Sequence, residues 1–140
     1  MPDLFNSTVL KRAISPVSVA DNTALTSQII DTQGYEAVLF GILIGSVADA
    51  DATFAVTVAE SVNANMSSPS AVAADNLVGT LVGAGFQFDD DNEVRKIQVN
   101  NTKRYVQLTI TPTGNASAAL IAAVAQLIGG KYLPTIQPAA

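Results

Sequence analysis

Several stretches of this chain place apolar side chains two residues apart, and that spacing restricts the fold more than any other feature. "TFAVTVAES" (53–61) alternates Phe54, Val56 and Val58 with Thr53, Ala55 and Thr57. "KRYVQLTIT" (103–111) alternates Arg104, Val106, Leu108 and Ile110 with Tyr105, Gln107, Thr109 and Thr111. Successive side chains of a strand point to opposite faces, so a period of two predicts sheets with one buried face and one that is wet or covered by a partner. "YEAVLFGILIG" (35–45) is apolar in both registers, which predicts a central strand, with Gly41 marking a bulge or a close backbone approach. "ASAALIAAVAQLIGG" (116–130) has enough alanine for a helix. Leu120, Ala122, Val124 and Gln126 nevertheless alternate against Ile121, Ala123, Ala125 and Leu127, and we read it as a strand.

Turn signals separate these stretches. "VRKIQV" (94–99) and residues 103–111 read as an antiparallel pair joined by "NNT" as a tight hairpin, since Asn100 and Asn101 tolerate positive φ. "PTGN" is expected to end the second strand, because proline cannot donate to a ladder, and to turn the chain into a strand lying beside it. "ALTSQIID" from Ala24 is strand-like, 62–80 is an irregular excursion with room for a helical turn or two after Pro69, and "LVGAGFQF" (81–88) is a short strand. Six or seven short strands without helical repeats predict an all-β fold, an antiparallel β-sandwich or barrel-like fold with an extended N-terminal arm. The expected divisions are the arm at 1–22, the sandwich at 23–131 and an extended tail at 132–140.

Composition limits what such a fold can do. Neither histidine nor cysteine occurs, which removes the usual general base, the thiol nucleophile and the commonest transition-metal ligands. The chain is expected not to be an enzyme and to hold no cofactor or metal. The acidic groups Asp49 with Asp51, and Asp89, Asp90, Asp91 and Glu93, lack the ligand order of a calcium loop and read as solvated turns. Charged residues make up only 14% of the chain, so much of the surface must be neutral or hidden against another protein. The net charge of −5 divides unevenly, −10 up to Val94 and +5 from Arg95 onward. The acidic total argues against nucleic acid. The longest apolar run, Ala37 to Gly45, is too short for a membrane helix, and "MPDLFNSTVLKRAISP" lacks the order of a secretory signal, so synthesis and use without export are expected.

The candidate contact residues are apolar or basic. Residues 1–22 read either as a frayed terminus or as an arm that orders on a partner, anchored by Leu4, Phe5 and Leu10 beside Lys11 and Arg12. On the second reading, deleting residues 1–15 leaves a folded domain that no longer binds. The pairs Arg95-Lys96 and Lys103-Arg104, with Tyr105, flank the expected hairpin, either as a solvated rim guarding a sheet edge or as a contact with an acidic neighbouring subunit.

"DTQGYEAVLFGILIGSVADADATFAVTVAES", followed after about forty residues by "NEVRKIQVNNTKRYVQLTITPTGN" and an Ala-rich apolar strand, resembles a group of small tailed-bacteriophage structural proteins encoded among the head genes. Their recurring features are a D-x-x-GY-(E/D) opening, a KRYV-x-(L/V)-T-(I/V)-TPTG strand and turn, and a proline-bearing end. The match covers roughly residues 24–134, most specifically 103–114. It departs where Asn100 and Asn101 stand for a Gly-containing hairpin, and where the middle insertion holds Met66 instead of an aromatic. The resemblance implies a virion protein made in the host cytoplasm: a head decoration (cement) protein on the capsid surface, partnered by the major capsid protein, and a homo-oligomer, trimer or dimer, on the capsid. Two other readings stay open, a head-completion or tail component and a host-glycan-binding module.

Overall fold

The computed structural model describes residues 3–131, 133 and 134. Two antiparallel sheets pack face to face, as the alternation predicts. The five-stranded sheet runs in the order β1 (Val9–Val19), β11 (Ala119–Ile128), β4 (Ala37–Val47), β9 (Val94–Val99), β7 (Leu77–Val78). The second is built on β10 (Tyr105–Thr113) paired along its whole length with β5 (Thr53–Ser61). Short strands complete it: β2 (Leu25–Thr26) and β3 (Ile30–Asp31) on β10, β6 (Ser70–Ala71) and β8 (Phe86–Gln87) on β5.

The core is the sum of the inward registers. Val38, Phe40, Ile42 and Ile44 of β4 face Val56, Val58, Val106, Leu108 and Ile110 of the second sheet, all buried. Phe54 stacks on Phe86 with ring centroids 4.6 Å apart, which anchors β8 to β5. Each such aliphatic or aromatic side chain contributes about 1.5–3 kcal/mol by leaving water.

The N-terminal arm is a correction. Residues 9–19 form β1, which pairs antiparallel with β11 from Val9↔Leu127 to Val19↔Ala119, and of the described residues 3–8 precede it. The segment fits neither period because its register shifts between Arg12 and Ile14 and again between Ile14 and Val17. These irregularities let Val9, Ala13, Ile14 and Val19 all reach the core from one edge strand.

The expected hairpins are corrected too. β9 and β10 lie in different sheets, so Asn100–Arg104 arches across the sandwich, and Gly114–Ala118 returns the chain to the first sheet. Two consecutive strands with one apolar face each satisfy the same alternation side by side or facing each other across a core. β10 also runs on through Pro112, opposite Phe54, because β2 has ended at Leu25 opposite Ile110 and no second neighbour there requires an N–H. Residues 81–84 form one helical turn, α1 (Leu81–Ala84), not strand, since Thr80 caps it by accepting the Gly83 N–H at 2.9 Å. The tail expected at 132–140 lies outside the described residues except for Leu133 and Pro134.

Candidate functional site

The outward face of the five-stranded sheet is built by register. Arg12 pairs with Val124, Val124 with Gly41, and Gly41 with Lys96, so these four residues form one row across four strands. The row on one side runs Leu10, Gln126, Leu39, Gln98, Val78, and on the other Ala122, Leu43, Val94. Directly paired residues share a face. Leu10 and Val78 (both 53% exposed), Leu43 (50%), Val94 (61%) and Leu120 (47%) therefore stand on one face, Leu43, Val94 and Leu120 together on one side of the Arg12–Lys96 row and Leu10 and Val78 at opposite edges on the other.

Two glycines of β4 hollow its centre. A Cβ on Gly45 would lie 2.9 Å from the Leu120 Cβ, whereas one on Gly41 would sit 3.4 Å from Val124 Cγ1. Leu120 thus lies across a bare backbone, and a groove of about 390 Å³ opens beside it, walled by Pro16, Val17 and Leu43.

None of the five strands contains an Asp or Glu; their charges are Lys11, Arg12, Arg95 and Lys96. Arg95 is spent internally, on Glu93 at 2.7 Å, Asp90 at 3.1 Å and the Gly85 carbonyl at 3.4 Å. The hydrogen bond with Glu93 holds its pKa above the ordinary arginine value. Arg12 sits at the sheet edge, where its guanidinium meets the Gln28 side-chain amide oxygen. Lys96 is exposed, and among the described residues neither Arg12 nor Lys96 has an ion pair.

The other expected contact residues are dispersed. Lys103, Arg104 and Tyr105 belong to the opposite sheet or its approach: Lys103 Nζ donates to Ser70 Oγ at 2.7 Å, and Arg104 forks onto both Asp31 oxygens at 2.8 Å. The Arg104 hydrogen bond pulls the Asp31 carboxyl below its usual pKa, and the guanidinium lies 5.0 Å over the Tyr105 ring. Leu4 (65% exposed) and Phe5 (75%) stand in the turn before β1. Of the ten residues, the structure brings Leu10, Arg12 and Lys96 onto one face. Leu43, Val94, Leu120 and Val78 were missed there. For Leu43 the signal was the second apolar register of 35–45, which marked a central strand, as β4 is, without showing that this register faces outward.

A second groove, of about 560 Å³, lies between Thr53–Thr57 of β5 and Leu81, Val82 and Phe86. Among the described residues no helix is long and apolar enough to cross a membrane, and no three acidic side chains converge as metal ligands would.

No protein-family model matches the chain, and no curated protein does. Among solved structures, PBSX exported protein XepA is similar over 94% of this chain, at 15% identity and a TM-score of 0.55. The chain spans 40% of the length of that protein. Infectious bursal disease virus Gx strain is similar over 93% of this chain and 35% of its own, at 16% identity and a TM-score of 0.49. The CBM22-1 xylan-binding domain from Paenibacillus barcinonensis Xyn10C covers 87% of both chains at 15% identity, with a TM-score of 0.43. The first likeness speaks to the fold alone; the other two are too loose to carry more.

Proposed function

We propose that the chain is a bacteriophage head decoration (cement) protein, which binds the outside of the major capsid protein lattice and stabilises the head. The observation that carries this reading is the outward face of the five-stranded sheet, where five large aliphatic side chains stand about half exposed on rigidly paired strands. Leu43, Val94 and Leu120 adjoin around the groove over Gly45, and an exposed apolar patch of this kind marks a contact. The motif resemblance over residues 103–114 supports a virion setting for that contact.

The size of the face suits a repeating partner. Four strand intervals by about six residues give a surface roughly 20 Å on a side, about 400 Å² in projection against the ~800 Å² per partner of a standard interface. One such contact is modest, and a lattice that presents it many times gains occupancy through multivalency. The chemistry is that of packing, with no bond made or broken, and the site of action is the capsid surface after synthesis in the host cytoplasm.

Purified virions are the test. Quantitative mass spectrometry should find the chain in hundreds of copies per particle, and a density map should show the sandwich outside the coat lattice, where any dimer or trimer would be seen directly. Heads lacking the chain should release DNA at lower temperature, and added protein should restore them. A dozen copies or fewer, located at the portal or tail, would reassign it to head completion or the tail. Glycan-array binding by the free protein would favour the carbohydrate reading, for which the outward face of β10 supplies one aromatic ring, Tyr105.

A further inference from the structure

Which chemistry can cover the outward face is decided by its charges. Resting on the decoration reading, we propose that this face docks on an apolar surface patch of the coat subunit that carries carboxylates on both sides, one meeting Arg12 and another Lys96. The two cations occupy a single row, separated by Val124 and Gly41. Three strand spacings put their backbones about 14 Å apart. The five strands supply no carboxylate, in a chain whose net charge is −5. Acids stand beyond the strand ends, where Glu93 and Asp90 are bound to Arg95 and Glu36 lies against Gly129.

A second copy of this chain fits poorly. Two such faces packed about a twofold axis would enclose four cations with no strand carboxylate to answer them, and like charges brought together without partners oppose association. An acidic partner turns the same two cations into the elements that set its register on the sheet. Val124 and Gly41 lie between them, and Leu43, Leu120 and the hollow over Gly45 supply the apolar contact on one side of that row. The arrangement also orients the molecule. The five-stranded sheet lies against the lattice, and the uncharged Thr53, Ala55, Thr57 and Thr111 of the other sheet face solvent.

The test uses full-length protein and heads purified without it. Arg12→Glu with Lys96→Glu should bind about tenfold more weakly or worse at low salt, with the gap narrowing as salt rises. Thr57→Glu with Thr111→Glu, on the opposite sheet, should bind like wild type, and carbodiimide should couple Lys96 to a coat carboxylate. Undiminished binding by the Arg12/Lys96 double variant overturns the proposal and leaves the decoration role standing. Failure of the wild type to bind heads removes that role instead. The face is then tested with soluble poly(Glu,Tyr): amide shifts confined to residues around Arg12, Gly41 and Lys96 sustain the acidic-partner assignment, and shifts elsewhere or none overturn it. Self-association of the free chain that Leu43→Asp abolishes would overturn it too, as would equal binding to phosphatidylglycerol vesicles.

Discussion

Thr102 donates two hydrogen bonds to one carboxylate, its N–H to Glu60 Oε2 at 3.2 Å and its hydroxyl to Glu60 Oε1 at 2.7 Å. Glu60 is 4% exposed and stands on β5 of the second sheet, whereas Thr102 lies in the arch that leaves β9 of the first. A carboxylate this buried persists only where it is hydrogen-bonded. The pair therefore fastens the crossing between the sheets.

Thr102→Val removes the hydroxyl and strands one carboxylate oxygen, at an expected cost of about 1–3 kcal/mol in urea unfolding. Thr102→Ser keeps the donor and should cost much less. No loss on Thr102→Val, or a larger loss on Thr102→Ser, would mean that the methyl group, not the hydroxyl, matters.

That pair also explains what the sequence left hidden. Alternation in 53–61 and 103–111 identified β5, β10 and their inward residues, because a period of two reports burial directly. It could not report which strands are neighbours. "NNT" suits a tight hairpin, and the features that make it an arch instead, Glu60 beneath Thr102 and the Asn100 N–H donating to the Asn76 carbonyl at 2.8 Å, involve residues remote in sequence. β1 was obscured by its two register shifts. The docking face was half legible: low charge content announced a covered surface, but its location needed the order β1-β11-β4-β9, which joins Arg12 to Lys96 across eighty-four residues of sequence.

Removing β1 should unfold the sandwich. Deletion of residues 1–15 takes away Val9, Ala13 and Ile14 from the core and exposes the edge of β11. Two large aliphatic side chains alone contribute several kcal/mol, at about 1.5–3 kcal/mol each, a large part of a domain's net stability. Circular dichroism should show lost cooperativity. Leu4→Ala with Phe5→Ala, at exposed positions, should leave the melting temperature almost unchanged.

The two glycines of β4 should respond differently to one added methyl group. Gly45→Ala forces a Cβ to 2.9 Å from the Leu120 Cβ, between two strands that cannot part, and should cost about 1–3 kcal/mol. Gly41→Ala meets Val124 Cγ1 at ordinary contact distance, 3.4 Å, and should be neutral or slightly stabilising. Thermal melts of the two variants give the comparison. Gly45→Ala should also weaken binding to heads, since Leu120 must leave the groove wall.

The loops at one end of the sandwich carry an acid-sensitive contact. Asp49 Oδ2 accepts the Ala116 N–H at 2.8 Å and Oδ1 accepts the Asp51 N–H at 3.0 Å, which ties the β4–β5 loop to the β10–β11 arch. The hydrogen bond with the Asp51 side chain, then those backbone donors, lowers the Asp49 pKa to about 2, while the same neighbour raises that of Asp51. The signs are opposite. A depressed folded-state pKa makes the Asp49 contribution present above its ordinary value of 3.8 and lost as pH falls from there through about 2. The raised Asp51 pKa favours the fold below 3.8, and that contribution is lost as pH climbs through the folded-state value. Asp49→Asn should therefore destabilise at pH 7 and make little difference at pH 2, whereas Asp51→Asn should be neutral or stabilising at pH 7 because it removes the carboxylate facing Asp49. Urea midpoints for both variants at the two pH values decide it: a loss on Asp51→Asn at pH 7 as large as that of Asp49→Asn would mean that both carboxylates act as acceptors, and that the like-charge contact between them is not felt.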